Sequence, residues 1–177
     1  MPPVSGHAKP FQIRQVKIYR NGTTKAFGSA QAMNITPTFT ENTLRGNGRI
    51  TSTVGIADGG EFEITEGGIE LETYALMMGL TTTAGYASAL GYYRELIETV
   101  DNCLPYFRAM GKSWLDNCSG ELHYKIYKCK ITSIDGEFAD GEFYVMSASG
   151  ICIGDEDNND AWRSWTQYDR TVTLASS

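Results

Sequence analysis

Apolar and polar residues alternate with a period of two in one run after another. Nothing else limits the fold as strongly, because only an extended strand sends every second side chain to one face. In AMNITPTFTE, residues 32–41, Met33, Ile35, Pro37 and Phe39 fall on one face and Asn34, Thr36, Thr38 and Thr40 on the other. Pro37 has no N–H for a ladder, so this run belongs at a sheet edge or a bulge. QIRQVKIYR sets Val16 and Ile18 against Gln15 and Lys17 and ends at the turn signal Asn21-Gly22. In GEFEIT, Phe62 and Ile64 oppose Glu61, Glu63 and Thr65, the pattern of a half-buried strand with a charged outer side.

Between these runs, ITSTVGIA places Ile50, Val54 and Ile56 in phase, and the polar, glycine-rich NTLRGNGR before it predicts a long exposed hairpin loop over residues 42–49. After Gly67-Gly68 the period changes. Ile69, Tyr74, Met77 and Met78, with Glu70 and Glu72 in the first turn, predict one short helix over 69–79. Residues 80–91, LTTTAGYASALG, are weakly patterned and read as a loop. In YYRELIETV the β-branched and aromatic content favours a strand while Tyr93, Leu96, Ile97 and Val100 would also suit one helical face, and its strand neighbours decide for a strand. Further strand-like runs are PYFRAMGKSW, GELHYKIYKCKITSI and GEFYVMSASGICIG, with turns at Asp135-Gly136 and Asp140-Gly141, and TVTL is expected to close the chain as a strand. Eight to ten short strands and one helix predict a mainly β protein, a β-sandwich or open β-barrel with a flanking helix. One domain over 1–177, with an N-terminal arm over 1–11, accounts for the length.

The chain has 15 Lys and Arg against 21 Asp and Glu, a formal charge of −6. That balance excludes a broad nucleic-acid-binding surface, which needs clustered positive charge. No apolar run approaches the length of a membrane span, and MPPVSGHAKP lacks the apolar core of a signal peptide. Cys103, Cys118, Cys129 and Cys152 are too irregularly spaced for a CxxC or zinc motif and are expected as buried small hydrophobes.

Candidate chemistry fails on pattern. Gly111-Lys112-Ser113 ends like a phosphate-binding loop, but Tyr106 stands where the earlier glycine belongs. DEDNND, residues 155–160, offers the alternating oxygens of Asp155, Asp157 and Asn159, yet Asp160 replaces the required glycine and Thr166 the closing glutamate, which leaves an acidic turn. Of two histidines, His7 falls in the arm and His123 in a strand, too few for a zinc site or a triad without a nucleophile elbow. The acid pairs Glu61 with Glu63 and Glu137 with Glu142 could serve glycoside hydrolysis, but acids two apart on a strand usually form a solvated face. No catalytic residue, cofactor or metal is assigned.

The order of the pieces resembles a bacteriophage major tail tube protein. The likeness rests on NITPTFTENTLRGNGRI, then GGEFEITEGGIELETYALMMG, PYFRAMGKSW, LHYKIYKCKIT and GEFADGEFYVMSASGICIG with a short closing strand. It implies a tail-tube-like fold shared with contractile tails and type VI secretion tubes, and a non-enzymatic virion protein that self-assembles into stacked hexameric rings. Genomic DNA would pass through the tube without specific binding. Partners implied are further copies of the chain, tail terminator, baseplate or tip proteins and a tape measure protein, with no membrane. Assembly would take place in the host bacterial cytoplasm.

By position, the resemblance makes Asn42, Thr43, Leu44, Arg45, Asn47 and Arg49 the contacts between subunits or rings. A loop bearing one apolar anchor, Leu44, and two arginines suits such an interface. Glu61, Glu63, Glu137 and Glu142 become candidates for an acidic lumen. Two alternatives stand beside it: a secretion-system tube of the same fold, and a carbohydrate-binding β-sandwich using Tyr92, Tyr93, Tyr106, Trp114, Trp162 and Trp165 as stacking surfaces.

Overall fold

The structure, a computed structural model, describes residues 10–46, 49–68, 70–89, 91–115, 120–137, 140, 144–168 and 170–174. In chain order the elements are β1 (Pro10–Arg20), β2 (Thr23–Phe27), β3 (Ala30–Gly46), β4 (Arg49–Gly67), α1 (Leu71–Met78), β5 (Thr82–Ala87), β6 (Gly91–Leu96), β7 (Phe107–Leu115), β8 (Glu121–Glu137), β9 (Val145–Ile153) and β10 (Arg163–Tyr168). Eight strands form one antiparallel sheet in the order β2-β1-β7-β8-β9-β4-β3, with β10 on β8, and β5 pairs only with β6. The mainly β expectation with one short helix holds.

One strand organises the sheet. β8 pairs along one edge with β7, while its other edge is shared in succession: Glu121–Ile126 meet β10, and β9 takes over from Cys129. The handover falls where Lys128 adopts φ 45° and the Tyr127 N–H donates to the Trp162 carbonyl. The sheet rolls until β1 lies against β3, and the alternating inward residues close over one core. Val16, Ile18, Phe62, Ile64, Ile126, Met146 and Ala148 are buried there, and Phe62 meets Phe107 edge to face at 5.8 Å. Burial of each large side chain is worth about 1.5–3 kcal/mol.

The helix supplies the last part of that core through Met77. Glu70 precedes it, accepting the Thr73 hydroxyl at 3.0 Å, and Glu72 stands in the first turn, where the helix dipole favours an acid. Gly79 ends it in the left-handed region at φ 74°, so the helix spans 71–78 within the expected 69–79.

Several expectations are corrected. Residues 80–91 are not a loop: they contain β5 and the start of β6, whose pattern is faint because no core lies beneath this hairpin and small Ala84 and Gly85 leave room for Tyr93. The closing strand is Arg163–Tyr168, not TVTL. The Val172 amide goes to a carboxylate and its carbonyl to a lysine, so neither joins a ladder. The 42–49 segment is paired strand up to Gly46 and again from Arg49. Of the expected N-terminal arm, Pro10 and Phe11 belong to β1, and 1–9 lie outside the described residues. Cys129 and Cys152 are buried side by side as expected, Sγ to Sγ 3.1 Å; Cys103 is exposed, and Cys118 lies outside the described residues.

Candidate functional site

The long β3–β4 ribbon changes character at one glycine. From Gly67 to Gly59, β4 is held between β3 and β9; beyond Gly59 only β3 accompanies it. Thr38 faces Gly59 and Phe39 faces Ala57, so Asp58 is the extra residue of a bulge. Gly59 has φ 150°, and a Cβ there would strike the Cys152 carbonyl. Past that point the ribbon projects as a two-stranded arm with exposed side chains on both faces.

On one face of the arm Thr40, Asn42 and Leu44 pair with Ile56, Val54 and Ser52; on the other Phe39 pairs with Ala57. Leu44, Val54, Ile56 and Phe39 are all more than half exposed. Among the sequence candidates, Asn42, Thr43, Leu44 and Arg45 lie exposed on this arm, Arg49 holds the register position opposite Gly46, and Asn47 lies outside the described residues. Phe39, Val54 and Ile56 were not among the candidates. Their signal was the in-phase apolar spacing, which a core strand would show equally.

The acidic candidates converge on one outer sheet face. Register rows run Asn34–Glu63–Ser149–Ser133 and Thr65–Ser147–Asp135 across β3, β4, β9 and β8. Glu61 and Glu63 are exposed there; Glu63 accepts from Ser147 Oγ at 3.0 Å and from Asn34 Nδ2 at 3.3 Å. Ser133 donates to Asp135 at 2.9 Å. Asn34, Thr36, Glu61, Glu63, Thr132 and Ser149 line a shallow groove of about 340 Å³ on this face. Glu137 occupies the register position opposite Val145 in the same alternate set, and Glu142 lies outside the described residues. The face is thus hydroxyl-rich and acid-bearing, open and shallow rather than a closed catalytic pocket.

A second polar group is fully buried. Glu121 meets Lys112 at 3.3 Å, Arg14 at 3.5 Å and His123 at 3.2 Å, and accepts the Val172 N–H at 3.1 Å. Burial pushes its pKa up, but that amide, His123 and Lys112 outweigh the effect and hold it below the ordinary carboxylate range. Lys112 also donates to the Val172 carbonyl, Lys17 to that of Leu174, and Leu174 itself is buried. The cluster therefore straps the C-terminal segment onto β1, β7 and β8. Glu66 has the opposite balance: burial raises its pKa against hydrogen bonds from the Ser29 and Gly28 backbone, and its Oε2 has no partner among the described residues.

The remaining motifs are structural. Gly111-Lys112-Ser113 lies within β7, with Lys112 committed to Glu121, so no phosphate loop exists there. The 155–160 turn is more than a solvated acidic loop: Asp155 pairs with Arg108 at 3.4 Å and accepts from Asn158 at 2.6 Å, and Glu156 pairs with Lys128 at 3.5 Å. His123 packs edge-on against Tyr168. The aromatics proposed as a glycan surface are dispersed: Trp114 lies under Arg14, Trp162 and Trp165 flank Arg163, and Tyr106 faces Lys128 and Lys130. Tyr92 and Tyr93 instead share the β5–β6 hairpin with Tyr86.

No protein-family model and no curated protein matches the sequence. Among solved structures, the chain is similar to one in the cryo-EM structure of the anti-feeding prophage baseplate, six-fold symmetrised. The TM-score is 0.50 at 8% identity, over 92% of this chain and 97% of that one. A chain of the anti-feeding prophage cap, the tube terminating cap, gives a TM-score of 0.47 at 10% identity, over 95% of this chain and 100% of that one. At 8% identity the baseplate comparison establishes a shared fold.

Proposed function

We propose that the chain is a structural subunit of a phage-tail-like particle and, within it, the tube protein. Copies form hexameric rings that stack into a conduit for DNA ejection into the host. The observation that carries this reading is the arm: a two-stranded ribbon with Leu44, Val54, Ile56 and Phe39 exposed has no use in an isolated monomer and is a hazard unless another chain covers it. The shared fold with a chain of a six-fold baseplate supports the same reading.

The outer face of β3, β4, β9 and β8 suits a lumen. Glu61, Glu63 and Asp135 are exposed carboxylates on an open surface, Glu63 and Asp135 held by hydrogen bonds, with Glu137 in the same register set and a net charge of −6 per copy. Repeated around a ring, that charge repels phosphates over the roughly 8–10 Å screening length and lets DNA slide. Asn42 to Arg49 make the contacts between copies, and terminator, baseplate or tip and tape measure proteins complete the tail. Catalysis has no part in this role.

Negative-stain microscopy of the concentrated, purified protein tests the reading. Six-fold rings or hollow tubes are expected, and a strict monomer at high concentration would overturn it. Deletion of 44–48 should leave a folded protein that builds no tube.

A further inference from the structure

Among the described residues the arm is one exposed apolar patch, and a second stands elsewhere on the chain. The second is the β5–β6 hairpin. Tyr92 is 90% exposed, its ring centroid stands 5.0 Å from that of Tyr86, and Tyr93 lies over Gly85; together they bound an open hollow of about 650 Å³. Ile97 and Val100 are exposed just beyond. The hairpin is fastened to α1: Glu72 pairs with Arg94, Tyr74 donates to Glu98, and Asn102 donates to the Met78 carbonyl at 2.9 Å.

Helix α1 starts four residues after the base of the β3–β4 ribbon at Gly67. From that base at Ala30, β3 runs out to Leu44, roughly 45 Å at strand rise. The extended arm therefore points away from the tyrosine shelf of its own chain. The tip of the arm and the shelf carry opposite charge. Residues 42–57 hold Arg45 and Arg49 and no acid, with Glu41 and Asp58 nearer the body of the sheet, whereas 82–101 hold Glu95, Glu98 and Asp101 against the single Arg94, which is already paired with Glu72.

We infer that the tyrosine shelf on β5–β6 is the receptor for the arm of a second copy of this chain. The inference rests on the tube reading and deepens it by naming the surface that the arm meets. Val54 and Ile56 lie on Tyr86 and Tyr92, and Arg45, on the other face of the ribbon, reaches round its edge to the acids of 95–101. Because donor and receptor are different patches, each copy gives one contact and receives another. Such a heterologous joint closes into a ring where the rotation between copies allows it and otherwise runs on from copy to copy. It therefore joins copies within a ring or along the stack.

The test is a double variant, Val54→Cys with Tyr92→Cys, in a background lacking Cys103 and Cys118, oxidised after assembly. The expected result is a covalent ladder longer than a dimer on a non-reducing gel, absent from either single-cysteine variant. Particles that assemble normally under the microscope yet give no ladder overturn the inference and leave the tube reading intact. A product that stops at dimer overturns the heterologous contact, and failure of the parent protein to assemble at all removes both. In a second arm, Arg45→Glu should depress assembly at least tenfold, and mixing it with Glu95→Arg should restore it. If Tyr92→Ser instead abolishes retention on a polysaccharide resin while assembly is unchanged, the shelf is a glycan site and the inference fails.

Discussion

The two halves of the β3–β4 ribbon carry similar side chains in opposite surroundings. In the proximal half Phe62 is 3% and Ile64 0% exposed; in the distal half Val54 is 53% and Ile56 55% exposed. The difference arises at Gly59, where β9 stops pairing and the bulge releases the ribbon. An apolar alternation that outruns its own core leaves Val54 and Ile56 exposed, where the single chain does not bury them. The proximal half stabilises the monomer; the distal half is available to a neighbour.

The strongest way to break this contrast is to exchange the damage. Phe62→Ala removes a ring from the core and should cost about 4 kcal/mol, read as a fall in the denaturant midpoint. Val54→Asp with Ile56→Asp should change monomer stability by no more than about 0.5 kcal/mol. Comparable losses from both halves would place the arm in the monomer's own core.

Next in size is the buried clasp. Glu121→Ala leaves Lys112 and Arg14 without their anion and frees the C-terminal strap, at a cost of about 3 kcal/mol. Proteolysis should then trim residues near 170 faster than in the parent chain, while the arm, which shares no contact with the clasp, is cut at an unchanged rate.

A smaller effect sharpens the comparison through pH. Glu66 has a folded pKa above its ordinary value of 4.5, so the folded state binds the proton more readily and stability rises as pH falls from neutral toward that value. Glu66→Gln should flatten the dependence of Tm on pH between about 7 and 5. Glu121 has the reverse sign: its contribution is present above the ordinary carboxylate pKa and lost as pH falls through its depressed folded value. The smallest expected change is chemical. Cys103 should react with a maleimide in the native protein without altering stability, whereas Cys129 and Cys152 should react only after denaturation, by mass spectrometry.

Much of the sheet was legible because its strands are half-buried, and a period of two then marks both face and register. The helix was legible from Glu70, Glu72 and Gly79, which carry end signals that need no tertiary context. Hairpin β5–β6 was only half legible: YYRELIETV read as a strand and β6 is Gly91–Leu96, but β5 was missed because, with both faces near solvent, its residues show no alternation against a core. The final strand was misplaced because Val172 and Leu174 look like strand residues, but the amide and carbonyl of Val172 serve Glu121 and Lys112, partners more than fifty positions away.

For the candidate surfaces, residue type pointed to the arm tip, and Leu44 and Arg45 lie there exposed. Sequence alone could not separate Val54 and Ile56 from Phe62 and Ile64, because the even-numbered pattern runs on through all four. The bulge at Asp58, which puts Val54 and Ile56 on the face of Glu61 and Glu63, and the end of β9 divide them. Likewise Glu61 and Glu63 were visible as one strand face, but Ser147, Ser149 and Asp135 join them only through pairing with β9 and β8.

The claim that the distal ribbon exists for another copy is tested most directly by sedimentation velocity of the parent protein beside Val54→Asp with Ile56→Asp. The account predicts large concentration-dependent species for the parent and a folded monomer for the variant. A variant that sediments like an assembled parent, or a parent that is monomeric at every concentration, would contradict it.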